Sequence, residues 1–275
     1  MIRAAVLGSD VSKSRSPAIH NAAYEAMGIE GEYGARSVEA PQFTELVRRL
    51  RAEGYRYLNV TIPHKAAAAD LADARGPEVL ASGAANTLLL GDTIRAENTD
   101  GAGLIAALHD LNVEVCPGEE IVMVGAGGAA AGAVEALTRA GAHVYLVARR
   151  PAAAQAIQQR LPEPQRGVVS VADWTPDGLA GALGTADALV SAVPVAAWDD
   201  EVARDGLEAM GGNVAVLEMA YGSSESPLAR AVRAHTNRYA DGLGMLVHQA
   251  ARAIELALGK APPVAPLFEA VGRPR

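Results

Sequence analysis

The stretch that most constrains this 275-residue chain is Ile121-Val122-Met123-Val124 followed by Gly125-Ala126-Gly127-Gly128-Ala129-Ala130. A short apolar run bounded by glycine predicts a buried strand, and the alanine-rich segment 129–140, stopped by Gly141, predicts a helix. Between them lies the spacing G-x-G-x-x-A. Gly125 permits a tight turn, Gly127 lets a pyrophosphate approach the backbone, and the small Ala130 lets helix and strand pack closely. A helix N-terminus also offers unpaired N–H groups to phosphate. Residues Gly125, Ala126, Gly127, Gly128 and Ala129 are therefore candidate dinucleotide contacts. The alternative is an ordinary strand-to-helix loop, since the chain holds 28 glycines.

The strand after this helix, predicted at His143–Val147, ends in Ala148-Arg149-Arg150. A fold that prefers NAD places an acidic residue near this point for the ribose hydroxyls. Two arginines stand here instead, and guanidinium groups bind phosphate in a bidentate way. Arg149 and Arg150 thus favour a 2′-phosphate, and the expected cofactor is NADP (NADPH) rather than NAD.

Strands and helices alternate along the rest of the chain. Strands are expected at Ile2–Leu7, Glu32–Val38 and Tyr57–Val60, a hairpin at Thr87–Leu90 and Thr93–Ala96, and further strands at Val168–Val171, Ala188–Ser191 and Val214–Leu217. Helices are expected from Ser16 to Met27, Pro41 to Glu53, Ala66 to Ala74, Gly101 to Leu111 and Asp241 to Leu258. This order implies an α/β fold with a parallel sheet covered on both faces. The expectation is two α/β domains: an N-terminal substrate domain, residues 1–101, completed by the C-terminal segment 240–275, and an inserted Rossmann-type NADP-binding domain, residues 102–239.

Bulk properties narrow the partners. The formal net charge of −8 offers no general attraction to nucleic acid or an anionic membrane. No apolar run approaches the length of a bilayer span, and the first residues lack a signal peptide's apolar segment. A single cysteine, Cys116, cannot form an intrachain disulfide. A cytoplasmic protein with a small-molecule substrate is expected, either monomer or homodimer. The six histidines show no paired metal spacing, so no metal site is expected.

Four segments of the first half are polar where packing alone would not require it. They are Ser14-Arg15-Ser16-Pro17 with His20-Asn21, Asn59-Val60-Thr61-Ile62-Pro63-His64-Lys65, Gly83-Ala84-Ala85-Asn86-Thr87, and Glu97-Asn98-Thr99-Asp100-Gly101. Each falls near a strand end or a helix start, where ligands sit in open α/β sheets. Together with the glycine turn and the tail Asp241-Gly242-Leu243-Gly244-Met245-Leu246-Val247-His248-Gln249, these segments closely resemble the shikimate dehydrogenase family. The family patterns are S-x-S-P-x-x-H-N, N-V-T-x-P-x-K, G-A-x-N-T and N-T-D-x-x-G, and the resemblance runs from about Val6 to Leu258.

The resemblance implies reversible reduction of 3-dehydroshikimate to shikimate by NADPH, a step towards chorismate and the aromatic amino acids. Position by position, it implies that Ser14 and Ser16, helped by Tyr221, bind the substrate carboxylate. Thr61, Lys65, Asn86, Asp100 and Gln249 would hold the ring hydroxyls. Met219, Gly242 and Met245 would lie near the nicotinamide. Lys65 and Asp100 are the expected catalytic residues. A developing alkoxide needs a proton or a positive charge beside it, and Lys65 can supply either. Plainer roles compete: a surface lysine for Lys65, helix capping for Ser16 and for Asp100.

The departures from the family lie in the cofactor half. Asn-Arg-Thr is replaced by Ala148-Arg149-Arg150, Asn-Ala-Thr-Pro by Ser191-Ala192-Val193-Pro194, and the Asp before the tyrosine by Glu218. A quinate or aminoshikimate dehydrogenase, with NAD as a possible cofactor, is the neighbouring alternative. A non-catalytic sensor of shikimate or NADP is a further one, disfavoured by the presence of both Lys65 and Asp100.

Overall fold

In the computed structural model, which describes residues 1–199, 201–222 and 225–273, the chain divides into two compact units. The first is Met1–Gly103 with Leu246–Arg275, the second Leu104–Met245.

The first unit holds strands β1 (Ile2–Gly8), β2 (Gly31–Ser37), β3 (Tyr57–Val60), β4 (Ala74–Arg75), β5 (Thr87–Leu90) and β6 (Ile94–Glu97). Its helices are α1 (Ser16–Ala26), α2 (Phe43–Ala52), α3 (Lys65–Leu71), α4 (Pro77–Ser82) and the start of α5 (Asp100–Asp110). The sheet order is β2-β1-β3-β5-β6-β4. β1 pairs in parallel with β2 and β3, and β5 runs antiparallel to both β3 and β6.

Successive residues of β1 serve opposite faces, as a strand's two-residue period requires. Ala5 and Leu7 join Phe43, Leu46, Val47 and Leu50 of α2 on one side. Ala4 and Val6 join Ile19, Ala23 and Tyr24 of α1 on the other, together with Val247, Ala250 and Ile254. Each fully buried Leu, Ile or Phe here stabilises the fold by about 1.5–3 kcal/mol.

The second unit contains β7 (Glu120–Val124), α6 (Gly128–Arg139), β8 (His143–Ala148), α7 (Pro151–Arg160), α8 (Glu163–Arg166), β9 (Val169–Asp173) and α9 (Pro176–Leu183). It continues with β10 (Ala188–Ser191), α10 (Glu201–Leu207), β11 (Ala215–Glu218), α11 (Pro227–Val232) and β12 (Tyr239–Asp241). Helices α12 (Leu243–Leu258) and α13 (Val264–Glu269) follow.

The second sheet is wholly parallel, in the order β12-β11-β10-β7-β8-β9. Counted from β7, that is the doubly wound order in which a nucleotide sits where the strand order reverses, beside the first strand. Ile121 and Met123 pack into one core and Val122 and Val124 into the other, so the apolar run is buried on both faces. This is the two α/β-unit architecture expected from the sequence. No described helix is long and apolar enough to cross a membrane.

Most elements lie within one or two residues of their expected bounds, and two of the differences have a clear local cause. The helix expected over 66–74 is α3, which ends at Leu71, and Ala74–Arg75 is a strand. Asp73 causes the change: its N–H donates to Ile94 O and its carboxylate accepts from Ile94 N, which draws the chain to the sheet edge. The tail helix begins at Leu243 rather than Asp241. Asp241 ends β12 and accepts the Leu243 N–H at 3.1 Å, so it holds the helix start from outside.

Candidate active site and nucleotide recess

The polar segments of the first half converge at strand ends. β5 and β6 meet at their turn as Leu90 against Ile94 and at their open end as Thr87 against Glu97, while Asn59 of β3 stands beside Thr87. The residues just beyond that open end, Asn86 on one side and Asn98, Thr99 and Asp100 on the other, are thereby brought together. Asn86 N–H donates to Glu97 O, and Asn98 Nδ2 donates to Ala84 O. Asn98 Oδ1 accepts the Asp100 N–H at 3.0 Å, which sets Asp100 as the first residue of α5. A carboxylate is favoured there by the helix dipole.

Lys65 opens α3, a position mildly unfavourable for a cation, but its Nζ lies 2.5 Å from Asp100 Oδ2. The two side chains are 25% and 13% exposed, so the pair is screened from water yet reachable. The Lys65 carbonyl accepts the Ala85 N–H, which ties the lysine to the loop that carries Asn86.

Asn86 is the hub. Its Nδ2 is 2.8 Å from both Asp100 Oδ1 and Gln249 Oε1 and 3.0 Å from Thr99 Oγ1, so its two hydrogens serve three acceptors. Its Oδ1 accepts from Thr99 N at 2.9 Å and from Thr87 Oγ1 at 3.0 Å. Lys65, Asp100, Asn86 and Gln249, expected as substrate contacts, thus form one hydrogen-bonded group within the first unit.

A second layer lies behind them. Asn59 Nδ2 donates to Thr87 Oγ1 at 3.0 Å, and Tyr33 Oη donates to Asn59 Oδ1 at 2.8 Å. Tyr33 stacks on His20 with centroids 3.8 Å apart, and His20 Nδ1 bonds Tyr57 Oη at 2.6 Å. Burial holds His20 neutral, pushing it down to about 3, and raises Tyr33 and Tyr57 well above their usual range. His64 bonds Val38 O and stacks on Phe43. These histidines are framework.

Sequence reading gave Asn59, Thr87, Thr99 and Tyr33 no role. A usable signal was present in Asn59: an asparagine inside the apolar strand Tyr57-Leu58-Asn59-Val60 is buried and must find partners.

Ser14 and Ser16 sit on the loop after β1 and at the start of α1. Ser9 N–H reaches Ile62 O at 3.4 Å, so this loop adjoins the one that carries Thr61. Ser14 Oγ accepts the Ser16 N–H at 3.2 Å in the turn that leads into the helix, whose N-cap, Arg15, makes no side-chain capping bond. Ser16 makes no capping bond and is buried. Thr61 is half-buried and turns the chain into α3, its carbonyl accepting the His64 N–H. Tyr221 belongs to the second unit, 44% exposed on the segment after β11.

In the second unit the glycine turn lines a recess of about 260 Å³ with Arg149, Arg150 and Trp174. Gly125 adopts φ +114°, and a Cβ there would press on Ala192 O and Val193. It is therefore required for the turn itself. A Cβ on Gly127 or Gly128 would meet nothing within 4 Å. These glycines leave open room in front of the backbone rather than relieving a protein clash. No side chain caps the N-terminus of α6, and two guanidinium-bearing residues line the same recess. Open backbone, helix terminus and paired cations fit a dinucleotide with an extra phosphate.

Ala126 lines the recess, and Ala129 stands in the first turn of α6. Met219, Gly242 and Met245 also come together in this unit. Met245 is buried in the core against which Met219 packs, and a Cβ on Gly242 would lie 2.1 Å from Met219 O. Among the described residues, no group of three or more His, Cys, Asp or Glu side chains could hold a metal ion.

Comparison with known proteins follows the same division. Residues 6–88 match the family described as "Shikimate dehydrogenase substrate binding domain", and residues 115–218 match "Putative NAD(P)-binding". The shikimate dehydrogenase (NADP(+)) of Methylobacterium radiotolerans is 38% identical over 271 residues, 96% of this chain and 94% of that protein. The crystal structure of an Ael1 enzyme from Pseudomonas putida superimposes with a TM-score of 0.84 at 31% identity, covering 98% of this chain and 97% of that one. Shikimate 5-dehydrogenase from Thermus thermophilus, in complex with NADP(H) and shikimate, superimposes with a TM-score of 0.85 at 29% identity over 99% of each chain. With two matched segments and a full-length relative of this identity, the chain belongs to the shikimate dehydrogenase family.

Proposed function

We propose that this protein is a shikimate dehydrogenase that reversibly reduces 3-dehydroshikimate to shikimate with NADPH. The observation that carries the reading is the Lys65–Asp100–Asn86–Gln249 group, a fixed set of donors and acceptors suited to a ring bearing several hydroxyls and one ketone. NADPH, when bound at the glycine turn, would supply the hydride that the ketone carbon takes up. Lys65 Nζ stands beside the ketone oxygen and meets the negative charge that develops there, by hydrogen bond or by proton transfer. Asp100 aims that amine and accepts from a neighbouring hydroxyl. Asn86, Gln249 and Thr61 hold the remaining hydroxyls, and Ser14 and Ser16, with Tyr221, take the carboxylate.

Gly125, Ala126, Gly127, Gly128 and Ala129 would hold the pyrophosphate, Arg149 and Arg150 the 2′-phosphate, and Met219, Gly242 and Met245 the nicotinamide. The substrate part is assigned to the first unit, Met1–Gly103 with Leu246–Arg275, and the cofactor part to the second, Leu104–Met245, so that residues 240–245 go with the cofactor part rather than with the C-terminal segment. The protein acts in the cytoplasm, without nucleic acid, as monomer or homodimer. The direct test is incubation with 3-dehydroshikimate and NADPH. Loss of NADPH absorbance matched by formation of shikimate is expected, and cofactor consumption without shikimate would overturn the assignment.

A further inference from the structure

We propose that Trp174 is a positioning residue for cofactor choice: it holds the guanidinium of Arg149 ready for a 2′-phosphate. The inference rests on the NADP reading above. Arg149 follows β8 directly and is exposed, and a long side chain loses rotamer freedom when a ligand fixes it. Trp174 follows the adjacent strand β9, and Arg149 Cζ lies 5.7 Å from the centre of its ring, within cation–π reach.

Trp174 is itself braced. It meets Trp198 edge to face, with centroids 5.6 Å apart and planes at 74°. Trp198 is 2% exposed and donates its indole N–H to Ser191 Oγ at 2.8 Å, and Ser191 is fully buried at the end of β10. A stiff line of contacts therefore runs from the sheet interior through two indoles to the guanidinium. Trp174 and Arg149 line one recess with Gly125 and Gly127, so the arginine is propped beside the phosphate cradle. Both flanking residues of the family's Asn-Arg-Thr run are absent here. The indole is a fixed support for the arginine that remains.

Binding of adenosine 2′,5′-bisphosphate and of 5′-AMP, titrated by calorimetry, tests this without turnover. Trp174→Leu should weaken the bisphosphate about fivefold and leave AMP within about twofold, whereas Trp174→Phe, which keeps a ring face, should retain most of the difference. The wild-type chain supplies a second measurement. Its two tryptophans are Trp174 and Trp198, so intrinsic fluorescence should change more on binding the bisphosphate than on binding AMP. Equal weakening of both ligands by Trp174→Leu would mean that the indole stacks on the base, and would overturn the proposal. Full discrimination retained in Trp174→Leu would overturn it too while sparing the NADP reading. A wild-type chain that binds both ligands alike would remove the NADP reading and this inference with it.

Discussion

The proposed reaction assigns the chemistry to Lys65 and Asp100, and single substitutions separate their part from binding. Lys65→Ala should lower kcat by about two orders of magnitude or more while NADP affinity, measured by fluorescence titration, stays near that of the wild type. Unchanged turnover would remove Lys65 from the mechanism. Thr87 tests the layer behind the site. It is fully buried and its hydroxyl links Asn59 to Asn86. Thr87→Val leaves the Asn59 amide short of an acceptor, at a cost of about 1–3 kcal/mol in urea unfolding.

His20 gives a pH signature. Its folded value lies below the ordinary one, so the unfolded chain is the better proton binder. The stability it contributes is complete above about pH 6.5 and is lost as pH falls, by about 1.4 kcal/mol per pH unit. Urea unfolding at pH 7.5 and pH 5 should show a pH-dependent loss in the wild type that is smaller by about 2 kcal/mol in His20→Gln. Equal losses would mean that other groups titrate there.

Local elements explain which boundaries the sequence made visible. The turn at Gly125 was legible because strand, glycine spacing and helix each have a local cause. β12 was not, because a three-residue strand, Tyr239–Asp241, has no periodicity of its own and its aspartate resembles a helix cap. β4 was hidden because an alanine-rich segment reads as helix until Asp73 finds Ile94 across the sheet edge.

The glycine turn also makes a contrasting pair of predictions. Gly125→Ala forces a side chain into a left-handed conformation against Ala192, so it should cost about 1–3 kcal/mol of stability as well as cofactor binding. Gly127→Ala should leave the unliganded fold within about 0.5 kcal/mol of the wild type, because its Cβ meets no protein atom. It should still weaken NADP about tenfold or more by filling the room left for the phosphates. Thermal unfolding and calorimetry of both variants check the pair.

At the scale of the whole molecule, the two-unit α/β architecture followed from alternating patterns and short motifs, and the motifs marked Lys65, Asp100, Asn86 and Gln249 before the fold did. What stayed hidden depends on distant residues meeting. Tyr33 reaches Asn59 across 26 positions, and Trp174 reaches Arg149 from the next strand. Neither has a local signal beyond being a buried polar or scarce aromatic residue.

In the proposed reaction the Lys65–Asp100 group and the arginine-lined recess serve one conversion, NADP-linked oxidation of shikimate and its reverse. Steady-state kcat/KM for shikimate and for quinate, each with NADP and with NAD, decides it. The highest value is expected for shikimate with NADP. A higher value for quinate with NAD would overturn the assignment.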